Sequence, residues 1–268
     1  MRGSVRNIDV QTAYTLNVAG QTDTGQVRAL NEDNLGLNRS EQLFVVADGM
    51  GGEAAGEVAS ALSVEALTEF FRVTGEDTDV TWPFKTDEYA DLPTSRLVTG
   101  VRLANQRVFE SSQKASQHRG MGTTLVALHI DGEQAYVAHV GDSRVYRLRA
   151  GELTQLTRDH SLLEQLKSLR PNMSQAEIDA FPYKHVIVRA LGKEEDVEVD
   201  VWMGGVEAGD VFLLCSDGLS GMITDAQISE ILSAHNEPEA ACDMLVEAAN
   251  TAGGKDNITT VVVRVEEA

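Results

Sequence analysis

The feature that most constrains the fold is a series of short β-strand patterns joined by very short connections. Turn signals at Asp131-Gly132, Gly141-Asp142 and Ala150-Gly151 separate neighbouring patterns in the middle of the chain. Connections of two or three residues join antiparallel neighbours, because a parallel pair needs a crossover of a dozen or more residues. This part of the chain is therefore predicted to be an antiparallel meander. The strand patterns are residues 43–47, 124–130, 134–140, 143–149, 152–156, 211–216 and 258–265.

Helical patterns bracket these strands, with apolar residues repeating at helical spacing. They cover residues 53–71, 97–111, 225–234 and 239–249. Helices segregated from an antiparallel meander indicate an α+β layered domain, and we expect one domain over residues 1–268. The polar stretch 74–94, with two prolines, is predicted to be a surface insertion. Residues 162–188, with a short helical patch at 174–180, are predicted to form a flap.

The charge balance argues against two classes of partner. The chain has 22 Lys and Arg against 42 Asp and Glu, a formal net charge of −20. Such a surface repels phosphate backbones and anionic lipid, so we expect neither nucleic acid nor membrane as a partner. The N-terminal segment lacks an apolar core, and no apolar stretch approaches about 18 residues, so we expect a cytoplasmic protein without signal peptide or membrane span.

Aspartates stand at the tips of apolar strand patterns. Asp48, Asp142 and Asp217 each lie at such a tip, and Asp256 precedes the last strand. An isolated Asp-Gly is equally a hairpin signal, and Asp131 is interpreted in that way. Carboxylates that converge at partly desolvated strand ends repel one another and require protons or a cation. Oxygen ligands without His or Cys nearby suit Mg²⁺ or Mn²⁺.

Arg28 lies upstream, close in sequence to Asn31, Glu32 and Asp33. By itself this segment is interpreted as a solvated turn. A fixed guanidinium beside metal-bound carboxylates, however, would match a dianionic phosphate.

Taken in order, these motifs resemble the PPM family of type 2C metal-dependent Ser/Thr protein phosphatases, in its bacterial subgroup. The resemblance runs from about residue 12 to the C-terminus and implies a four-layer αββα sandwich, in which helix pairs flank two central antiparallel β-sheets. The matching motifs are Arg28…Asn31-Glu32-Asp33, Asp48-Gly49-Met50-Gly51-Gly52, Gly122-Thr123-Thr124, Gly141-Asp142-Ser143-Arg144, Thr157…Asp159-His160-Ser161, Arg189-Ala190-Leu191-Gly192, Ser216-Asp217-Gly218 and Asp256-Asn257.

The resemblance also implies a role for each site residue. Asp48 would bridge two Mn²⁺ or Mg²⁺ ions, and Asp217 and Asp256 would complete the first. The Gly49 carbonyl and Glu32, partly through water, would serve the second. The remaining implied residues are Asp142 for a third, weaker ion, Arg28 for the substrate phosphate, and Asp33 and Asn257 beside the ligands.

The implied reaction is hydrolysis of phosphoserine and phosphothreonine by a hydroxide shared between the two ions, without a phosphoenzyme. The implied partners are phosphorylated proteins, with a bacterial Ser/Thr kinase as the opposing enzyme, and we expect a monomer. Two positions depart from some relatives. Met50 stands where they have a histidine proposed as the leaving-group acid, and Gly221 where they have an aspartate on the third ion.

Two other functions remain open: a pseudophosphatase that binds phosphoproteins, and a phosphoesterase acting on a small phosphate ester. The first conflicts with the complete set of acidic residues, whereas the motifs do not exclude the second. Cys215, inside an apolar strand pattern, is interpreted as a buried thiol and not a nucleophile. His139 is interpreted as structural, and His160 as a hydrogen-bonding residue that orders a loop.

Overall fold

The structure, a computed structural model, describes residues 14–51, 55–76, 91–114 and 116–268. Its strands are β1 (Tyr14–Asp23), β2 (Asp33–Asn38), β3 (Leu43–Met50), β4 (Gly122–Thr123), β5 (Leu125–Asp131), β6 (Gln134–Val140), β7 (Arg144–Arg149), β8 (Glu152–Gln155), β9 (Asp200–Gly205), β10 (Val211–Cys215) and β11 (Ile258–Glu267). Its α-helices are α1 (Ala55–Glu76), α2 (Leu92–Lys114), α3 (Leu162–Leu169), α4 (Gln175–Asp179), α5 (Asp217–Ser220), α6 (Asp225–Ala234) and α7 (Pro238–Thr251).

The strands form two antiparallel sheets. One sheet has the order β1-β11-β10-β7-β8, and the other has the order β2-β3-β5-β6-β9, with the short β4 paired to β3. The pairs described in both sheets are antiparallel. The central strands β3 and β10 both end in the aspartate motifs, so the sheet order determines where those carboxylates lie.

Three hydrophobic layers confirm the predicted αββα sandwich. Successive side chains of a strand face opposite sides of its sheet. In β3, Val45 therefore packs with α1 and α2, whereas Phe44 and Val46 enter the layer between the sheets. On the far side, Leu213 of β10 packs with α6 and α7. Both sheets are thus covered on both faces, which explains why these strands read as continuous apolar runs.

Most strands and helices predicted from sequence are present. The predicted helix 225–234 is observed as α6 with the same bounds, whereas α1 and α2 are longer than their predicted counterparts. Strands β1, β2, β9 and the two-residue β4 were not predicted. Gly, Asn and Gln interrupt the first two, and β-propensity is weak for these residues. Pairing with other strands stabilises them instead. β1, for example, pairs along its whole length with β11, from Tyr14–Glu267 to Asp23–Ile258.

The prediction of a continuous meander was wrong at the Gly141-Asp142 connection. β5 and β6 form one hairpin in the second sheet, and β7 and β8 form another in the first sheet. The chain therefore crosses between sheets where a hairpin turn was expected. Gly141 adopts φ +109°, which an L side chain rarely adopts, so the backbone can turn out of the sheet plane here.

The predicted flap contains α3 as well as α4, which falls within the predicted helical patch. Ser161 caps α3 and Ser174 caps α4 with a capping box, so both helices begin at local sequence signals. The ends of the predicted insertion 74–94 belong to α1 and α2, whereas residues 77–90 lie outside the described residues, as does Glu53 at the predicted start of the first helix.

Both cysteines are buried and unbridged. Burial raises the pKa of the Cys215 thiol to about 12, which supports its interpretation as an inert core residue and not a nucleophile. Within the described ranges, no helix combines the length and apolar character that crossing a membrane requires.

The layer between the sheets is expected to carry much of the stability. Phe212 is fully buried there. Phe212→Ala should lower the free energy of unfolding by about 3–5 kcal/mol, since it removes buried apolar surface and leaves a cavity. Urea unfolding measures the change. Leu169→Ala, at a position 81% exposed, is the control and should change stability by less than about 0.5 kcal/mol. Equal effects of the two substitutions would contradict this packing.

Candidate metal centre

The predicted site residues converge at one end of the two sheets. Seven of the nine line a single cavity of about 220 Å³, together with Met50, Gly51 and Ile187. The other two, Asp33 and Asp142, are buried and do not line it. The seven are Arg28, Glu32, Asp48, Gly49, Asp217, Asp256 and Asn257.

Asp48 is held through its backbone. Its N–H donates to Thr124 Oγ1 at 3.1 Å, and its carbonyl accepts from the Thr124 N–H at 2.8 Å and from Thr123 Oγ1 at 2.9 Å. These bonds continue the pairing at the end of β3. They use only the backbone N–H and carbonyl of Asp48, and not its carboxylate. The threonines of the Gly122-Thr123-Thr124 motif therefore fix the position of Asp48.

Close backbone packing brings Asp217 and Asp256 together. Asp217 begins α5 directly after β10, and Asp256 lies two residues before β11, the neighbour of β10. A Cβ on Gly218 would overlap the Asn257 carbonyl, so these loops can approach this closely only with glycine at 218. The sheet order thus places two carboxylates from distant parts of the chain in one cavity.

Asn257 orders the loop that carries Glu32. Its side-chain amide donates to the carbonyls of Thr24 and Leu30, both at 2.9 Å, and its Oδ1 accepts from the Glu32 N–H at 2.8 Å. The Glu32 carboxylate in turn accepts from Gly56 N–H, in the first turn of α1, at 3.1 Å. An anion is favoured at a helix N-terminus, which explains the orientation of Glu32.

Asp33 lies behind Asp48, opposite it in the β2–β3 register. Ser216 and Thr259 each donate a hydroxyl hydrogen bond to its Oδ2 at 2.7 Å, whereas its Oδ1 has no hydrogen-bond partner. Ser216 stood in a quoted motif without an assigned role, and Thr259 was not identified at all. The available signal was a pair of threonines at the start of an otherwise apolar strand.

The carboxyl groups of this site repel one another in a poorly solvated setting. Burial, and then the negative charges of Asp33 and Asp217, raise the pKa of Asp48 well above its ordinary value. Burial is also the main cause that raises the pKa of Asp33 and of Asp142, each to about 7, and that raises the pKa of Asp217. Such groups need a positive charge among them to ionise at neutral pH.

Arg28 supplies part of that charge at the mouth of the cavity. Its Nη2 donates to Asp256 Oδ2 at 2.6 Å, and about half of its side chain is exposed. Hydrogen bonding to Asp256 raises the pKa of the guanidinium further. Among the salt bridges of the described residues, the Arg28–Asp256 pair is the one that involves a carboxylate of the cavity lining. One arginine therefore lies beside four acidic residues of that lining.

The donor set fits hard divalent cations. The acidic side chains that line the cavity offer carboxylate oxygens, and the buried Oδ1 atoms of Asp33 and Asp142, which lie outside its lining, lack partners. Oxygen donors of this kind suit Mg²⁺ and Mn²⁺. In the described part of the chain, the three potential ligand atoms that lie mutually within 4.8 Å belong to His139, His160 and Asp200, and not to these aspartates. Among the described carboxylates of the cavity, no three offer ligand atoms that close together, and their sharing between two ions stays a prediction.

The histidine group is occupied by protein contacts. His139 Nε2 lies 2.9 Å from the Arg158 carbonyl, and Arg189 Nη1 lies 3.0 Å from His160 Nε2 and 2.5 Å from Asp200 Oδ1. A guanidinium at this point disfavours a bound cation. The structure therefore supports structural roles for both histidines.

Gly221, one of the two departures, follows α5. A Cβ at this position would lie 2.8 Å from the Asp217 carbonyl oxygen, closer than real Cβ contacts. The aspartate found here in some relatives would need a shift of that backbone. Met50, the other departure, lines the cavity but offers no proton.

The chain is similar in sequence to known protein phosphatases. The sequence profile described as Protein phosphatase 2C matches residues 22–256. The serine/threonine phosphatase stp of Listeria monocytogenes (strain F2365) is 38% identical over 252 residues, which cover 91% of this chain and 93% of that protein.

Solved structures of bacterial serine/threonine phosphatases are also similar to this chain. The Mycobacterium tuberculosis serine/threonine phosphatase PstP/Ppp has a TM-score of 0.81 at 36% identity, covering 94% of this chain and 99% of that one. The catalytic domain of PstP in complex with two manganese ions has a TM-score of 0.79 at 37% identity, covering 95% and 100%.

The raised pKa values predict how stability depends on pH without metal. Folding raises the pKa of Asp33 from about 4 to about 7, so the contribution of Asp33 to stability is fully present below about pH 4 and is lost as the pH rises through about 7. Asp33→Asn cannot ionise and can still accept both hydroxyl bonds. In chelator at pH 8 it should be more stable than the wild type, by at least about 1 kcal/mol.

Thermal unfolding at several pH values measures this difference. The gap between the variant and the wild type should narrow at pH 5, and saturating Mn²⁺ should reduce it at pH 8. A variant that is less stable than the wild type at pH 8 in chelator would contradict the electrostatic account.

Proposed function

This chain belongs to the protein phosphatase 2C family and is a metal-dependent serine/threonine phosphatase, and we propose that the cavity lined by Asp48, Asp217 and Asp256 is its active site. The observation that carries the proposal is the convergence of these carboxylates with one arginine in a single cavity. Asp48 would be the ligand common to two Mn²⁺ or Mg²⁺ ions.

The other ligands follow from the arrangement. Asp217 and Asp256 come from neighbouring loops and would share one ion with Asp48. The Gly49 carbonyl and Glu32 would serve the second, with Glu32 held at the start of α1. Asp142 would bind a third, weaker ion through its unpartnered Oδ1. When bound, such ions act as Lewis acids at the phosphoryl oxygens and lower the pKa of water.

The protein's own residues account for substrate binding. Arg28 lies at the mouth of the cavity, where its planar guanidinium can donate two parallel hydrogen bonds to a phosphate. Asn257 and the threonines that bind Asp48 keep the surrounding loops in place, so little reorganisation is needed when substrate binds. Cys215 is buried within β10 and cannot serve as a nucleophile.

A second cavity, of about 460 Å³, adjoins the site. Met50 and Ile187 line both cavities, and residues 187–190 form part of the wall of the second. A phosphorylated protein must extend beyond the phosphate site, and this adjoining space is available to it. We propose that the flap, 162–188, governs which phosphoproteins are accepted.

We further propose that the chain acts in the cytoplasm as a monomer and reverses phosphorylation by a bacterial Ser/Thr kinase. Two buried free cysteines are compatible with a reducing compartment. The intact set of carboxylates argues against a scaffold that lacks catalysis. Comparing kcat/KM for a phosphothreonine peptide and for a sugar phosphate separates a protein phosphatase from an enzyme for small esters.

Asp48→Asn tests the central assignment. It keeps the backbone hydrogen bonds to Thr123 and Thr124 but removes the anionic ligand. We expect Mn²⁺-dependent hydrolysis of a phosphothreonine peptide to fall by a factor on the order of 10³ or more, because charge stabilisation at the phosphoryl group is lost. Initial rates and a thermal melt measure activity and folding. Activity that survives the substitution, or that persists in excess chelator, would show the mechanism to be wrong.

Exchange of the flap tests substrate selection. Replacing residues 162–188 with the equivalent segment of the Listeria monocytogenes relative should change the ranking of kcat/KM across a panel of phosphopeptides. Calorimetric Mn²⁺ affinity of the two-ion site should stay the same, since its ligands lie outside the flap. Altered Mn²⁺ affinity with an unchanged peptide ranking would remove the role assigned to the flap.

A further inference from the structure

The connection that carries Asp142 has an unusual position in the fold. It leaves β6 in one sheet and enters β7 in the other, so it lacks the strand neighbours that would otherwise hold it. Gly141 makes the corner with φ +109° and packs closely against Thr124. The placement of the Asp142 carboxylate therefore depends on whatever holds this corner.

His160 holds it from both sides. The Gly141 N–H donates to His160 Nδ1 at 3.0 Å, and the His160 N–H donates to the Gly141 carbonyl at 2.9 Å. The ring is 8% exposed and stacks on His139 with centroids 4.7 Å apart. His160 thus supplies two of the hydrogen bonds that hold the chain where it changes sheets, and the Ser143 hydroxyl, 2.7 Å from Thr124 Oγ1, supplies another.

The two ring nitrogens of His160 have different neighbours. A backbone N–H can only donate, so Nδ1 accepts from Gly141, whereas Nε2 lies 3.0 Å from Arg189 Nη1, which is also only a donor. Nε2 is 3.4 Å from Asp200 Oδ1, the oxygen that accepts from Arg189 at 2.5 Å. Burial, with His139 and Arg189 nearby, lowers the pKa of His160 to about 4, which agrees with a neutral ring.

The same residue anchors the flap. The Val188 N–H donates to the His160 carbonyl at 2.9 Å, and Ser161 and Ile187 form an isolated antiparallel β-bridge. Ile187 lines the cavity that also contains Asp48, Asp217 and Asp256. His160 therefore joins the corner that bears Asp142 to the returning end of the flap.

We propose that His160 is a positioning residue, which fixes the Asp142 carboxylate for its cation through the Gly141 hydrogen bonds. The proposal rests on the metal role proposed above for Asp142. Asp142 is 7% exposed and its Oδ1 has no hydrogen-bond partner, so its orientation is set by the backbone of the corner. Residues that orient metal ligands in this way typically contribute about 10–100-fold to metal affinity.

Two amide substitutions separate positioning from packing. In His160→Asn the amide oxygen can occupy the place of Nδ1 and accept from Gly141, whereas in His160→Gln the amide lies nearer the place of Nε2. Isothermal titration with Mn²⁺ should show the weakest site of His160→Gln weakened about tenfold. The loss should resemble that of Asp142→Asn, and His160→Asn should restore most of it.

The double variant His160→Gln/Asp142→Asn tests the route of the effect. If His160 acts through Asp142, the double variant should bind Mn²⁺ no more weakly than Asp142→Asn alone, because the two changes act on one ligand. His129→Gln is the matched control: it alters another buried histidine, which lies in β5 and is paired with Leu43 at the far end of β3, and should leave Mn²⁺ binding unchanged.

The outcomes distinguish the two proposals. Normal Mn²⁺ binding by His160→Gln, with weakened binding by Asp142→Asn, overturns the positioning role alone. Normal binding by Asp142→Asn overturns the metal role of Asp142, and the positioning role with it. Additive losses in the double variant also overturn it. If His160→Gln does not fold, Asp200→Ala removes the acceptor near Nε2 at a half-exposed position, and unchanged Mn²⁺ binding there counts against the proposal.

Discussion

Mutual repulsion among buried carboxylates is the constraint on which the rest of this structure depends. Asp48, Asp217 and their neighbours lie where water cannot fully screen them, and burial together with neighbouring charge raises their pKa values. A fold would ordinarily avoid such a cluster, since each group gains from remaining in water. The arrangement becomes favourable when divalent cations bind, and the chemistry of a metal-dependent phosphatase uses those same cations. The electrostatic cost and the catalytic function therefore have one origin.

The neutral groups around the cluster hold it in place without neutralising it. Threonine, serine and asparagine side chains bind the backbone of Asp48, the carboxylate of Asp33 and the loop of Glu32. None of these contacts supplies a formal positive charge, so the carboxylates remain available to cations. Arg28 is the exception, and its exposed position at the cavity mouth suits a residue that exchanges a carboxylate for a substrate phosphate.

Local patterns predicted where some of the candidate carboxylates lie. Asp48 and Asp217 follow apolar strand patterns directly. The last residue of a strand lies at the end of its sheet in any fold, so this position could be predicted locally. The αββα architecture came from the family resemblance, and the three hydrophobic layers confirm it. The hydroxyl groups of Ser216 and Thr259 were not foreseen as partners of Asp33, because they lie 183 and 226 residues away from it in sequence.

The crossing at Gly141 could not be predicted from a short turn alone. Two antiparallel strands joined by three residues look the same in sequence whether they share a sheet or not. What decides the matter is long-range pairing, of β6 with β9 and of β7 with β10, together with the His160 contacts. Strand β1 was missed for the same reason, since its partner lies at the other end of the chain.

The most direct test of the account is anomalous diffraction from crystals of this protein grown with Mn²⁺. We predict at least two manganese peaks in the cavity, both within coordination distance of the Asp48 carboxylate, with Asp217 and Asp256 binding one of them. Absence of manganese from the cavity, or manganese bound instead at His139, His160 and Asp200, would contradict it.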